Sequence, residues 1–305
     1  ADREDVNSID PLPPEEVDTD IDHTNFYAYA SVNYPQAFTW VLGASGDFLD
    51  GSLEDTDQFN PKFGLIWTPF PATTLRGAIF RTLQRTLIAS QTIEPTQVAG
   101  FNQFFDDAEG VDAWRYGIAA DQKFSSRLNG GVELSMRDLE VPFEDFSPPL
   151  FLSEVKEADW EEWLFRAYLY WTPQRWFALS AEYQYEDLER DSEFVGDGLF
   201  TDLKTHRVPL GIGFFHPTGI IARLNATYVY QDGNFGDPFS GVESDDDRFW
   251  VMDATMSYRL PNRYGLISLE AKNLFDEAFK FQDTDPSNPR IIPERMIFGR
   301  ITLSF

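Results

Sequence analysis

The sequence has no cysteine and is poor in basic residues: 24 Lys and Arg stand against 51 Asp and Glu in 305 residues, a formal net charge of −27. The absence of cysteine excludes disulfide frameworks, thiolate metal sites and cysteine nucleophiles. The shortage of basic residues argues against a nucleic-acid partner, because affinity for a phosphate backbone comes mainly from clustered Lys and Arg. No apolar run of about 18 residues occurs, so the sequence predicts no transmembrane helix.

Aromatic residues, in contrast, are abundant: 28 Phe, 12 Tyr and 8 Trp are too many for a chain that stays disordered. Apolar residues recur in steps of two; for example, Leu224, Ala226 and Tyr228 alternate with Asn225 and Thr227. This period is typical of strands with one apolar and one polar face. We predict an all-β protein whose 13 strands lie at about 24–34, 37–48, 61–68, 73–83, 113–124, 127–138, 161–172, 175–187, 204–216, 219–231, 248–260, 263–275 and 295–305.

Short turns and long loops alternate between these strands. Pro173, Pro217 and Pro261 mark three of the turns at a spacing of 44 residues, and proline suits a hairpin tip because its φ is fixed. At the other end of the strands the predicted connections are long and polar, at 49–59, 84–112, 139–160, 187–203, 231–248 and 276–294.

A soluble sandwich and a transmembrane barrel both contain many amphipathic strands. The strands predicted here have about 11–15 residues, whereas globular strands average roughly 5–6 and a bilayer needs about 9–11. Trp67 and Trp171 lie beside short turns, and Tyr183 and Tyr228 lie near long loops, which matches the two headgroup levels of a membrane. The sequence therefore predicts a transmembrane antiparallel up-and-down β-barrel with short periplasmic turns and long extracellular loops.

Charged residues within the strands are confined to one stripe. A basic residue that faces lipid at mid-membrane costs roughly 2–4 kcal/mol, so we expect the charged stripe to face the lumen. The lumen-lining candidates are Arg115, Asp121, Lys123, Glu133, Arg137, Arg166, Glu182, Glu186, Arg207, Arg223, Asp253, Arg259, Glu270, Lys272 and Arg300.

The loop at 84–112 is unusually apolar for an exposed connection. We predict that it packs into or over the lumen and narrows it, because a group of phenylalanines is not expected to face water. An alternative is that the loop binds another chain. The constriction candidates are Phe101, Phe104 and Phe105.

An odd number of strands conflicts with the even number of bacterial single-chain barrels. We therefore interpret residues 1–22 as an acidic extracellular loop or linker and residues 23–305 as a barrel that is incomplete on its N-terminal side. The visible strands then belong to a larger, even-stranded barrel.

The C-terminal sequence carries a family resemblance. The block from Asn273 to Asp276, a loop, and a final alternating strand that ends at Phe305 resemble the C-terminus of TonB-dependent receptor barrels. The segment 73–107 is similar to a strand and loop of the same barrels, including those fused behind N-terminal tetratricopeptide repeats. Phe305 also resembles the terminal aromatic signal that such barrels present to the insertion machinery.

The resemblance implies a Gram-negative outer membrane location, with outer-membrane lipid, lipopolysaccharide, the barrel-insertion machinery and a small-molecule or polymer solute as partners. Such receptors have about 22 strands, so roughly nine would be missing, together with a plug and its energy-coupling motif. This departure puts energy-coupled uptake in doubt. The leading expectation is solute transport as a pore or receptor-like barrel; the alternative is export or envelope assembly coupled to a periplasmic repeat domain.

Catalysis is the least favoured reading. The three histidines, His23, His206 and His216, have no serine at a spacing typical of a hydrolase. The pair Glu182 and Glu186 could serve as general acid and base, but nearby arginines favour an ion-paired wall. We therefore expect no enzyme.

No cofactor is expected, except for a weak divalent-cation site in the acidic loops. Carboxylate oxygens suit Ca²⁺, which could bridge to lipopolysaccharide phosphates, although a solvated loop surface is the simpler interpretation. The candidate ligands are Glu243, Asp245, Asp246 and Asp247.

Overall fold

A computed structural model describes residues 22–50, 55–84, 94–103, 107, 110–145, 154–191, 200–237, 241–280, 291–292 and 294–303. Within these ranges no helix is long and apolar enough to cross a bilayer. The proposed loop or linker at 1–22 is described only at its last residue, and Phe305 lies outside the described residues.

One antiparallel sheet of 13 strands dominates the structure, and each strand pairs with its neighbours in chain order. Its strands are β1 (Asp22–Asn33), β2 (Phe38–Asp50), β3 (Thr56–Phe70), β4 (Thr73–Leu83), β7 (Asp112–Ser125), β8 (Leu128–Asp145), β9 (Glu154–Gln174), β10 (Phe177–Arg190), β11 (Phe200–Phe215), β12 (Ile220–Asp237), β13 (Gly241–Arg259), β14 (Gly265–Lys272) and β15 (Met296–Leu303). Two short strands, β5 (Gln97–Val98) and β6 (Phe101–Asn102), form a separate hairpin. The all-β, antiparallel prediction is confirmed.

Several strands are longer than their predicted ranges. The predicted loop at 139–160 is mostly strand, because β8 continues to Asp145 and β9 begins at Glu154. The predicted loop at 231–248 is strand up to Asp237 and again from Gly241. These two loop ranges were wrong, and the acidic stretch that includes Glu243 and Asp246 lies on β13.

The two faces of the sheet differ in chemistry. We call the face that carries Leu224 the outer face and the face that carries Asn225 the inner face. Outer-face apolar side chains are widely exposed, as Leu134, Ile212 and Met256 illustrate. On β12 the outer apolar stripe runs from Ile220 to Tyr230, about 33 Å along the strand. A strand tilted by about 40° then spans about 25 Å, the height of a lipid-facing band.

We call the end of the strands where the longer connections lie the loop end. Toward it, polar residues move to the outer face and apolar residues to the inner face. On β8 the outer face changes from Met136 to Asp138 and Glu140, while the inner face changes from Arg137 to the buried Leu139. The strands nearby change in the same way. The outer residues there are acidic: Asp159, Glu161, Asp187, Glu189 and Asp232. The inner residues are apolar: Ala158, Leu188, Leu203, Val229 and Phe249. The two faces thus exchange their polarity at one level of the sheet.

The sheet is open within the described residues. Each edge strand has one neighbour: β1 pairs with β2, and β15 pairs with β14. Because 13 is odd, β1 and β15 run in the same direction. A direct seam between them would be parallel, so an all-antiparallel barrel needs an odd number of additional strands.

Candidate functional site

A small hairpin, residues 94–103, lies on the inner face of the sheet. Its turn is formed by Ala99 and Gly100, whose φ values of 49° and 90° are typical of a tight type I′ hairpin. In this hairpin Val98 pairs with Phe101, and both side chains are completely buried. We call residues 94–103 the inner hairpin.

Two glycines of the sheet allow the inner hairpin to pack closely. A Cβ atom on Gly117 of β7 would lie 2.4 Å from the ring of Phe101, and one on Gly64 of β3 would lie 2.8 Å from the Cβ of Ala99. Any larger residue at these positions would displace the hairpin. The apolar side of the contact is completed by Phe80, Ala119, Val41 and Ala78.

A buried ion pair holds the first residue of the inner hairpin. Lys62 of β3 lies 3.1 Å from the carboxylate of Glu94, and both side chains are 2% exposed. Tyr29 of β1 donates a hydrogen bond to the same carboxylate at 2.7 Å. Glu94 therefore connects the hairpin to two strands at once.

Two arginines hold the other end of the hairpin. Arg76 of β4 and Arg115 of β7 lie over the ring of Phe101, with guanidinium carbons 5.2 and 5.8 Å from its centroid. Arg76 also donates to the carbonyl of Ala99 at 3.3 Å, and Arg115 donates to the carbonyl of Asn102 at 3.1 Å. The hairpin is thus bound by cations, backbone hydrogen bonds and one aromatic ring.

Of the constriction candidates, Phe101 lies on the inner face, whereas Phe104 and Phe105 fall outside the described residues. That the loop narrows a passage stays a prediction. The sequence did not predict that Glu94 of this loop binds Lys62, nor that Arg76 contacts the loop. The period of two could have placed Lys62 and Arg76 on the inner face, but nothing in the sequence pairs Glu94 with Lys62.

All of the lumen-lining candidates lie on the inner face, as the strand registers show. Arg137 lies 2.8 Å from Glu162 and also contacts Asp107, and Arg207 lies 3.2 Å from Glu186. Whether this face lines a passage stays a prediction.

Glu182 and Glu186 bind different arginines and do not form an acid–base pair. Glu182 accepts a hydrogen bond from Arg166 at 3.0 Å, and Glu186 accepts one from Arg207 at 3.2 Å. These contacts match the ion-paired wall that the sequence analysis favoured.

A second segment covers the inner face of β12 and β13 near the loop end. Phe279 stacks on Phe249 with ring centroids 4.2 Å apart, and Ile291 packs in the same cluster with Val229 and Val251. Near the loop end, the inner face is thus covered in part by the inner hairpin and in part by Phe279 and Ile291.

Each histidine has a structural contact. His23 lies 3.0 Å from Asp47, and His216 contacts Thr218 within its own turn at 2.7 Å. His206 lies on the outer face among tyrosines, with ring centroids 4.8 Å from Tyr185 and 5.9 Å from Tyr230. This aromatic row lies where the outer face changes from apolar to acidic.

The acidic residues considered for Ca²⁺ contact a lysine. Lys280 lies 3.0 Å from Asp245, and the backbone amide of Lys280 donates to Asp247 at 2.6 Å. The hydrogen bond that Lys280 donates to Asp245, together with the negative charge of Asp245, raises the pKa of Lys280. In the described part of the chain no three metal-type ligands gather, and the side chain of Glu243 is not described. A cation at this place stays a prediction.

Comparisons with known proteins add the fold relationship. Neither protein-family models nor curated proteins match the sequence. The structure is similar to the outer membrane transporter YddB from Escherichia coli, with 11% identity and a TM-score of 0.61 over 93% of this chain and 45% of that one. It is also similar to the FrpB iron transporter from Neisseria meningitidis, with 13% identity and a TM-score of 0.60 over 84% of this chain and 41% of that one.

A third solved structure, the ferripyoverdine receptor of the outer membrane of Pseudomonas aeruginosa, has 15% identity and a TM-score of 0.56 over 86% of this chain and 36% of that one. The chain thus spans between 36% and 45% of the length of these three proteins. At this level of identity the similarity shows the fold. The resemblance to TonB-dependent receptor barrels is confirmed for that fold, as is the prediction of a partial barrel.

Proposed function

We propose that this chain forms part of a Gram-negative outer-membrane β-barrel that transports a solute, with the inner face along the passage and the inner hairpin as its constriction. The observation that carries the proposal is the two-faced sheet: an exposed apolar band outside, bounded by aromatic rings, and charged residues inside. The similar solved structures support it, because their names describe a transporter, an iron transporter and a ferripyoverdine receptor. The short turns then face the periplasm, and the outer face contacts lipid and, at the loop end, lipopolysaccharide.

The first test concerns lipid contact. Leu224 and Asn225 are neighbours near the middle of β12 and point to opposite faces. We expect Leu224→Arg to lower the free energy of unfolding by about 2–4 kcal/mol, because the cation would face hydrocarbon. Asn225→Arg is the matched control and should change it little. Urea unfolding of the protein folded in lipid vesicles measures both. Equal effects of the two substitutions would contradict the assignment of the faces.

The second test concerns the passage. Replacing residues 94–103 by a Gly–Ser linker of equal length should raise the single-channel conductance of the protein in planar bilayers, because the hairpin no longer occupies the inner face. Gln97→Ala is the control, since Gln97 is exposed and, among the described residues, its side chain donates a hydrogen bond to Asn102 at 2.9 Å. This control should keep the parental conductance. If the linker variant and the parent conduct equally, the constriction is elsewhere; if neither conducts, the transport proposal fails.

A further inference from the structure

We call the half of the inner face that lies nearer the short turns the turn-end half. It carries charged side chains, and its cations are placed differently from its carboxylates. Each carboxylate in that half is ion-paired. Asp121 and Glu133 both bind Arg76, at 2.8 and 3.2 Å. The other three pairs join Glu182 to Arg166 at 3.0 Å, Asp253 to Lys272 at 2.8 Å and Glu270 to Arg300 at 4.0 Å.

Within these last three pairs the cation is the more exposed partner. The side chains of Arg166, Lys272 and Arg300 are 43%, 38% and 64% exposed. Their partners are covered more: Glu182, Asp253 and Glu270 are 16%, 27% and 19% exposed. The carboxylates therefore lie closer to the wall, and the cationic groups stand in front of them.

Three more cations lie in the same half without a carboxylate. Lys123, Arg223 and Arg259 are exposed, and none has an ion pair with any described residue. They come from β7, β12 and β13, so they lie on both sides of the Arg166–Glu182 pair on β9 and β10. Because Asp121 and Glu133 share Arg76, the seven cations named here face five carboxylates, and this half of the inner face keeps a net positive charge of two.

The acidity of the chain does not cancel this charge. At the loop end the carboxylates lie mainly on the outer face, as at Asp138, Glu140 and Glu161. On β9, Glu161 lies five residues from Arg166, about 17 Å along the strand, which exceeds the Debye length of about 10 Å at 0.1 M salt. A wall of exposed cations concentrates anions beside it, as rings of Lys and Arg do in anion pores.

We propose that the turn-end half of the inner face selects anionic solutes, small molecules that carry carboxylate or phosphate groups. This inference rests on the proposed transport function and adds the charge of the substrate. Arginine suits the role because its planar guanidinium can bind either group through two hydrogen bonds.

The test is ion selectivity of the protein in the form in which cells make it, purified from the membrane and placed in planar bilayers. A KCl gradient gives the reversal potential, and chloride and potassium are the probes. We expect chloride to be about sevenfold more permeant, because one net positive charge at roughly 7 Å in water raises the local chloride concentration about threefold and lowers that of potassium about threefold. The triple variant Lys123→Gln, Arg223→Gln, Arg259→Gln leaves four cations against five carboxylates in this half, so the permeability ratio should fall to one or below.

The matched control removes three cations outside the turn-end half: Arg248→Gln, Lys280→Gln and Arg295→Gln. It should keep the parental ratio, and heat-modifiable migration in gels checks that every variant is folded. A conducting parent that prefers potassium, or a triple variant with the parental ratio, would overturn the anion proposal and leave transport intact. An absence of conductance in all variants would overturn the transport function as well.

Discussion

The Arg137→Met variant should lose about 3–5 kcal/mol of unfolding free energy, because removing one partner of a buried ion pair leaves an uncompensated charge. Arg137 and Glu162 are 4% and 7% exposed on the inner face. Their 2.8 Å contact is supplemented by the contact of Arg137 with Asp107. Methionine fills much of the space of arginine but offers neither carboxylate a hydrogen bond.

Urea unfolding in lipid vesicles, followed by tryptophan fluorescence, measures the loss. Lys204→Met is the control, on β11, three strands away from β8: Lys204 lies 4.0 Å from Asp187 and is 38% exposed. An exposed pair of this kind contributes about 0–1 kcal/mol. The double variant Arg137→Met, Glu162→Gln should recover part of the loss, since the amide carries no charge. A loss at Arg137 no larger than at Lys204 would show that the pair is solvated.

The strand order and the two faces could be predicted because they follow from a local rule. Successive side chains of a strand point to opposite faces, so the stripe of Leu224, Ala226 and Tyr228 needs no tertiary information. Charges such as Arg115 and Arg223 were assigned to the inner face by the same alternation. This alternation predicts the face of each residue wherever the polarity of a face stays the same along the strand.

Strand ends were less predictable because the apolar and polar residues exchange faces part of the way along the strand. Beyond Met136 the outer position is Asp138 and the inner position is Leu139, so a pattern sought as apolar outside and polar inside stops there. The backbone nevertheless continues as strand to Asp145, paired with β9. The polar residues of this stretch were interpreted as a loop, although the strand continues there with its polar and apolar residues on the opposite faces.

The inner hairpin was predictable in its chemistry but not in its contacts. An apolar loop was expected to pack inward, yet the residue that receives Phe101 is Gly117, which has no side chain and gives no signal in a sequence. Lys62 and Glu94 meet because β3 lies beside the hairpin in space, 32 residues away in the chain. Contacts of this kind depend on the register of the whole sheet.

The Phe101→Ala variant should detach the inner hairpin from the sheet. Truncating a fully buried phenylalanine costs about 3–5 kcal/mol, through lost burial and the cavity that remains. Phe101 is 0% exposed, and the cation–π contacts with Arg76 and Arg115 are lost with its ring. Hydrogen exchange of the amides in residues 94–103 measures the detachment, and we expect their protection to fall while that of β8 and β9 is unchanged.

The opposite side of the same contact provides the decisive comparison. Gly117→Val places methyl groups where the Phe101 ring lies, so alone it should also detach the hairpin. Combined with Phe101→Ala, the valine fills the space that the ring leaves, and the double variant should lose less protection than the sum of the two single variants. Additive losses would mean that Phe101 and Gly117 act independently, and the hairpin would then be held by Lys62, Glu94 and the arginines rather than by its aromatic ring.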